Sequence, residues 1–310
     1  MNKSKKSVML IILSILIIPL IGVLIIECWY LPRYLFGRKQ VELSNNNTSQ
    51  ITIMSSNLRT FSPTDLFTKS WFYRAELISE DINEVGPDII GFQEYTTIHN
   101  GYIKDILQGY DSIVTYRDNS LFGESCPIFY RQDKFELIDS GCFWLSDTPD
   151  QISIGWNSAY PRICSYVILK EISQSKPFIV FNTHLDNVSK ESQINSLELI
   201  NSKKKELGGY PSILMGDFNA YVGSQTINKA YKLFDDANII AENNLQAGQS
   251  EATYHCWGQM PDHKRIDYFM VSKSGINVKT YDVLDQTHAG GGRKHYSSDH
   301  YPIYIKIDLL

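Results

Sequence analysis

Ten short apolar runs rich in Ile, Val, Phe and Tyr recur from residue 51 to the end of the chain, and they constrain its fold more than any other feature. In order they are ITIMSSNL, DIIGFQE, SIVTY, PIFYR, ICSYVILK, PFIVFNTHL, SILMGDFN, RIDYFMV, INVKTYDV and HYPIYIKI. Their length, composition and bounding turn residues predict strands. Helical periodicity is confined to two stretches. Trp71 to Val85 places Phe72, Ala75, Ile78, Ile82 and Val85 on one face and is stopped by Gly86-Pro87. Ser189 to Leu207 carries Ile194, Leu197 and Ile200, with Lys203 to Lys205 near its end, where the helix dipole favours cations. Many strands with helices between some of them predict two sheets packed face to face with helices outside, in one α/β sandwich domain.

A chain of 310 residues, 43% of them apolar, can bury such a core. Its charge is uneven. Residues 1–39 carry Lys3, Lys5, Lys6, Arg33, Arg38 and Lys39 against Glu27 alone, a net of +5, so a formal total of −5 leaves −10 on the rest. Non-specific grip on long nucleic acid comes from neutralising phosphates with Lys and Arg, and a body this acidic has no global field for it. Any phosphate chemistry must be local.

Val8 to Ile26 is an uncharged apolar run of 19 residues. At about 1.5 Å per residue it just spans a hydrocarbon core roughly 30 Å thick. A cleaved signal peptide is the alternative, but Ile25-Ile26-Glu27-Cys28 offers no small-residue cleavage site. The expected organisation is a membrane anchor and basic juxtamembrane segment over 1–43, a polar linker over 44–50 and a catalytic domain over 51–310. Three basic residues lie on each side of the span, so the positive-inside count ties. An N-terminus inside and an extracytoplasmic domain are the default for a single-pass chain with a short leading tail. Cys126, Cys142, Cys164 and Cys256 have no metal-type spacing, and two disulfides or four small core residues are equally consistent with their surroundings.

Four predicted strands end in polar residues: Asn57 after ITIMSS, Glu94 after DIIGFQ, His184 after FIVFNT, and Asp217 with Asn219 after SILMG. Singly each has a bland reading, since strands stop at polar residues and a lone histidine is more often structural than catalytic. Together with Asp267 in RIDYF and the segment Ser298-Asp299-His300, they predict a convergent site at one edge of the sheets.

The motifs SSNLR (55–59), IIGFQE (89–94), NTHLD (182–186), GDFN (216–219), RIDYF (265–269) and SDHYP (298–302), in this order, resemble the endonuclease/exonuclease/phosphatase superfamily, DNase I-like and exonuclease III-like metal-dependent hydrolases. The resemblance covers roughly residues 51 to 310. It implies a four-layer α/β/β/α sandwich and Mg²⁺-dependent hydrolysis of phosphoesters, with Mn²⁺ as a substitute. By motif position it implies Glu94 as metal ligand, Asn57 and Asp299 as helpers in holding the metal or its waters, and Asp217 as the residue that orients or deprotonates the attacking water. Asn219 positions water or a phosphate oxygen, His300 is supported by Asp267, and His184 donates to phosphoryl oxygens or acts as general acid. A hard divalent ion prefers carboxylate oxygen, and in-line displacement at phosphorus needs cations and donors on its oxygens.

Arg162, in GWNSAYPRICSY, is a candidate phosphate clamp or equally a structural ion pair. Arg293, in Gly290-Gly291-Gly292-Arg293-Lys294-His295, is a candidate cation on a mobile loop or equally part of a solvated one. The expected function is a membrane-anchored phosphodiesterase or nuclease acting on a nucleotide or single-stranded nucleic acid. A sphingomyelinase-like or inositol-phosphate-type hydrolase of lipid head groups is the alternative. A binding protein on an inactive fold is disfavoured by the complete residue set, and no protein partner is predicted.

Overall fold

The computed structural model describes residues 3–43, 49–245, 252–260, 264–285, 288–290 and 293–310. Among them the predicted strands assemble into two facing sheets. The first runs in the order β10 (Asn243–Asn244), β12 (Ile276–Val283), β15 (Ile303–Leu309), β1 (Ile51–Asn57), β2 (Ile89–Gln93), β4 (Ile128–Arg131) and β3 (Tyr110–Ile113). The second runs β5 (Phe135–Trp144), β6 (Ile163–Glu171), β7 (Pro177–His184), β8 (Ser212–Asp217), β11 (Asp267–Val271) and β9 (Asp235–Asp236). A separate hairpin pairs β13 (His288–Gly290) with β14 (Arg293–His295).

Strands such as β1 and β8 are buried on both faces, which is why they read as continuous apolar runs rather than alternating ones. Ile53, Ile305, Val180, Met215 and Phe269 fill the space between the sheets. On the outer face of the second sheet, Phe181 and Leu214 pack against Leu197 and Ile200 of α4 (Lys190–Glu206) and Ile227 of α5 (Gln225–Leu233). On the outer face of the first, Met54 and Phe92 pack against Ile78 and Ile82 of α2 (Trp71–Val85) and Tyr102 and Ile103 of α3 (Thr97–Ile106). This is the expected four-layer α/β/β/α sandwich, with one short helix besides, α6 (Ala237–Ile240).

Local signals set the helix ends. Ser70 caps α2 by accepting from the Phe72 N–H at 3.2 Å, and Gly86 closes it in the left-handed conformation. Ser189 caps α4 in the same way. Both helices are crossovers between parallel strands: α2 connects β1 to β2 and α4 connects β7 to β8. The C-terminal ends of these four strands therefore point to the same edge of the sandwich, and β11 runs antiparallel to β8, starting at that edge with Asp267 opposite Asp217.

The N-terminal helix α1 spans Lys3–Phe36, ten residues beyond the predicted apolar run, and its stretch Ile17–Phe36 is long and apolar enough to cross a membrane by length and composition. Its last third packs on the domain: Tyr30 meets Tyr73 edge-on, Tyr34 stacks on Tyr102, and Arg33 pairs with Glu76. Most of the polar segment 44–50 lies outside the described residues. All five cysteines are unpaired, and Cys126 and Cys164 are buried as small core residues. Burial pushes the Cys142 thiol up to about 12, so it stays protonated and unreactive.

Candidate active site

The convergent strand ends bring the predicted residues to one cleft of about 450 Å³, lined among others by Glu94, His184, Asp217, Asn219, Asp299 and His300. Asn57 lies beneath it. Its Nδ2 donates to Glu94 Oε1 and to Asp217 Oδ2, each at 3.1 Å, while its Oδ1 accepts from the Arg59 N–H at 2.9 Å. Glu94 and Asn219 both adopt left-handed backbone, at φ 53° and 48°. Such conformations cost on the order of 1–3 kcal/mol each in a non-glycine residue and persist where the surroundings over-determine them. Here Glu94 Oε2 accepts from the Thr60 N–H at 2.6 Å, and the Asn219 N–H donates to Asp217 Oδ1 at 2.8 Å.

The two histidines are held in opposite protonation states. The Asn219 side chain touches both Leu185 O, at 3.0 Å, and His184 Nε2, at 2.9 Å, through the same atom. A carbonyl oxygen accepts and never donates, so that atom is the amide nitrogen and His184 Nε2 is its acceptor. The His184 proton therefore sits on Nδ1, which is 4.0 Å from Glu124 Oε2. Burial, reinforced by the Arg162 and Arg117 charges, depresses its pKa well below the usual imidazole range and keeps the ring neutral. Burial alone would depress His300 too, but Asp267 Oδ2 lies 2.9 Å from its Nδ1, with Asp217 and Asp299 behind. Together they push His300 up to about 10 and hold it as imidazolium. Its Nε2 lies 3.9 Å from Asp217 Oδ2.

Carboxylates crowd this side of the cleft. Burial first, then the charge of Asp267, push the Asp217 carboxyl up to about 7. Burial raises Asp299, and Glu94 adds to it. The carboxylate oxygens of Glu94 and Asp299 suit a hard divalent ion, while Asn57 braces Glu94 through its Nδ2. Asp217, Asp267 and His300 also place one ligand atom each within 4.8 Å of one another. In that set the Asp267–His300 contact already shares a proton, which makes it a proton-holding pair rather than a cation cage.

Arg117 and Glu124 also line the cleft and carry no motif that marks them in sequence. Arg117 Nη1 donates to Glu124 Oε2 at 2.6 Å. Arg162 is buried in the cleft wall, with the Asp186 carboxylate 3.5 Å from Nε; its Nε and Nη1 make no hydrogen bond among the described residues. The side chain of Arg293, like Gly291 and Gly292, lies outside the described residues. The hairpin that carries it is tied to α2, through His295 Nδ1 with Tyr73 Oη (3.1 Å) and His288 Nε2 with Asp81 Oδ1 (2.8 Å). Arg74 was also not singled out from sequence: its buried guanidinium donates to Leu58 O and to Ser297 O, clamping the loop after Asn57 to the segment before Asp299. A lone Arg on the apolar face of a helix was the signal.

Gly216, just before Asp217, has φ 137°, and a Cβ there would lie 1.9 Å from Thr183 O on the adjacent strand. Gly216→Ala should therefore destabilise the fold by at least about 3 kcal/mol, since backbone must move. The midpoint of urea unfolding checks this, and an unchanged midpoint would show that β7 and β8 do not approach so closely.

The Endonuclease/Exonuclease/phosphatase family model matches residues 54–300. A Bacteroides thetaiotaomicron protein of that family is 32% identical, with a TM-score of 0.77 over 84% of this chain and 98% of that one. The mannosyl-6-phosphatase of Bacteroides thetaiotaomicron is also 32% identical, with a TM-score of 0.75 over 84% and 99%. Nocturnin of Drosophila melanogaster is 27% identical over 78% of this chain and 42% of its own length. The chain spans less than two thirds of the length of the curated relatives it matches. With the motif residues gathered in one cleft and the family model covering most of the sequence, the chain belongs to the Endonuclease/Exonuclease/phosphatase family, a family of phosphoester hydrolases.

Proposed function

We propose that this chain is a membrane-anchored, divalent-metal-dependent hydrolase of a compact phosphoester, cleaving a P–O bond by in-line attack of water. The observation that carries this reading is the convergence in one cleft of the carboxylates of Glu94, Asp217 and Asp299 with the cationic groups of Arg59, Arg117, Arg162 and His300. The first can hold a cation and the second can receive a phosphoryl group. Mg²⁺ held by Glu94 with Asn57 and Asp299 would polarise a phosphoryl oxygen and offset developing charge. Asp217, its carboxyl raised toward neutrality, takes the proton of the attacking water. The His300 imidazolium, oriented by Asp267, supplies a charged donor to the phosphoryl or leaving oxygen. Neutral His184 and Asn219 orient each other at the cleft wall, which assigns the charged role to His300. Arg162 brings a positive charge to the cleft wall that attracts phosphate oxygens.

A compact substrate is supported by the acidic body, which gives no long basic track, and by the similarity to a sugar phosphatase across nearly its whole length. A nucleotide or a single-stranded nucleic acid end is the second reading, favoured by the alignment with nocturnin. The deciding experiment assays full-length protein in detergent on sugar 6-phosphates, inositol phosphates, bis(p-nitrophenyl) phosphate and single-stranded oligonucleotides, with Mg²⁺, Mn²⁺ or chelator. Turnover indifferent to chelator would remove the metal-dependent mechanism.

The acid limb of log kcat/KM against pH should sit at or below about 7, because Asp217 must be anionic to accept a proton, and should move lower as Mg²⁺ rises. The alkaline limb should lie near 10, where His300 loses its charge. An optimum confined below pH 6 would contradict both assignments. The protein should pellet with membranes, resist salt extraction and need detergent for release. Recovery of a soluble form beginning near residue 28 would establish a cleaved signal instead. The catalytic domain is placed outside the cytoplasm in this proposal, so external protease on intact cells should digest it, and full protection would reverse the orientation.

A further inference from the structure

We propose that the cleft faces the bilayer entered by the N-terminal helix, with the loops around its mouth forming a membrane-docking surface, so that the phosphoester it hydrolyses is carried on a lipid head group. This rests on the hydrolase reading above and on α1 entering a membrane.

The first argument is direction. Along α1 and the segment after it, contacts climb in step with α2: Glu27 meets Ser70, Arg33 meets Glu76, Lys39 meets Glu80 and the Glu42 N–H donates to Asn83 Oδ1. The two helices run parallel. The N-terminus of α2 is at the cleft end, where Arg74 binds the loop after Asn57 and the segment before Asp299. Its C-terminus is at the far end, where Asp88 Oδ2 accepts from the Thr52 N–H at the start of β1. The part of α1 before Glu27 therefore projects past the cleft end, and its 24 helical residues reach roughly 36 Å beyond the domain.

The second argument is rigidity. The apolar run ends at Ile26, and Glu27, the next residue, is already in contact with Ser70. Tyr30 against Tyr73 and Tyr34 against Phe72 and Tyr102 continue the seam without a break in the helix. Because residues 27–36 are engaged with the domain, the part of α1 left to enter the bilayer is the uncharged run Val8 to Ile26, and its edge is level with the cleft end, with no slack to turn the domain over.

The third argument is independent of the helix. Loops at the cleft end expose apolar side chains immediately beside cleft residues. Leu121 (76% exposed) and Phe122 lie between Arg117 and Glu124; Val188 (69% exposed) follows Asn187; Val222 follows Tyr221; Phe67 stands on the loop between β1 and α2. Apolar side chains projecting from separate loops around one mouth mark an interaction surface. The apolar helix leaves the domain at the same end, which names the bilayer as the occupant rather than a second copy or another protein.

The test places a thiol-reactive environment-sensitive fluorophore at Leu121→Cys, Val222→Cys or, at the opposite end, Leu310→Cys. Each is made in a Cys28→Ser parent whose residual labelling is subtracted. Full-length proteins are reconstituted into phosphatidylcholine vesicles with a minority of headgroup-nitroxide phosphatidylcholine. Labels at 121 and 222 should be quenched several-fold more than the label at 310. Equal or reversed quenching in vesicle-bound protein overturns the docking surface. Failure to float with vesicles overturns the anchor and this proposal with it, while chelator-sensitive turnover of a soluble phosphoester would leave the hydrolase reading standing. In vesicles containing phosphatidylinositol 4-phosphate, release of phosphate should exceed that from the soluble head group inositol 1,4-bisphosphate several-fold. Hydrolysis of the soluble head group alone overturns the lipid substrate. Preferential quenching without turnover of any phosphoester supports the docking surface and overturns the hydrolase reading instead.

Discussion

His300→Ala and Asp267→Asn should each lower turnover by about 10² to 10⁴, and the double variant should lose little more than the worse single one. The reason is geometric. Asp267 Oδ2 lies 2.9 Å from His300 Nδ1, and its carboxylate is the chief counter to the burial that would otherwise strip the ring of its charge. Without Asp267, burial prevails and the alkaline limb should fall from near 10 toward or below the ordinary imidazole value of about 6.5. A merely structural role would not move that limb. His300 is itself buried, so His300→Ala also leaves Asp267 without its partner, and lost stability must be separated from lost chemistry. His300→Asn retains a donor toward Asp267 yet cannot carry charge, so it should fold more stably than the alanine variant and be nearly as inactive. Because the folded-state pKa of His300 is raised, the stability from this pair is complete below about pH 6.5 and is lost as pH rises through about 10. Fully additive losses in the double variant, or near-normal turnover in His300→Ala, would place the proton transfer elsewhere.

Much of this architecture is legible in the sequence because the central strands are buried on both faces and their ends carry polar residues that no core would choose. Asn57, Glu94, His184 and Asp217 reach one cleft because two crossover helices make their strands parallel. What escaped had weaker local signals. β5 shows mostly exposed or half-buried side chains along FELIDSGCFW, so it lacks the apolar run of an interior strand. α3 contains Gly101, and its capping box uses His99 where Glu or Gln would normally announce it. Arg117 and Glu124 sit in a loop, where position depends on tertiary packing that periodicity does not encode. The apolar run ends at Ile26, but the helix continues to Phe36, where Tyr30 and Tyr34 find aromatic partners on α2 and α3.

Glu94→Gln should weaken divalent-metal binding by at least about 100-fold, more than altering a group behind the ligands does, because it removes a full charge from the donor set. Chelator should abolish wild-type turnover and Mg²⁺ or Mn²⁺ should restore it; the variant should recover activity at much higher metal or not at all. The apo-protein gives a second readout. In the wild type, Glu94 adds to the electrostatic pressure on both Asp217 and Asp299, so neutralising it relieves repulsion. Against this, Glu94 accepts from Asn57 Nδ2 and from the Thr60 N–H, and a glutamine must turn its own NH₂ toward one of them. Losing that hydrogen bond costs about 1 kcal/mol. The two effects oppose, so the apo-Tm should change little. The metal-induced rise in Tm should nearly vanish, since saturating at 100 times Kd is worth about 2.7 kcal/mol and a 100-fold weaker site forfeits most of it. A Glu94→Gln protein with an undiminished metal-induced rise would move the cation to the Asp217–Asp267 side of the cleft. His300 would then have to give up its proton to become a ligand, and the imidazolium role argued above would fall with it.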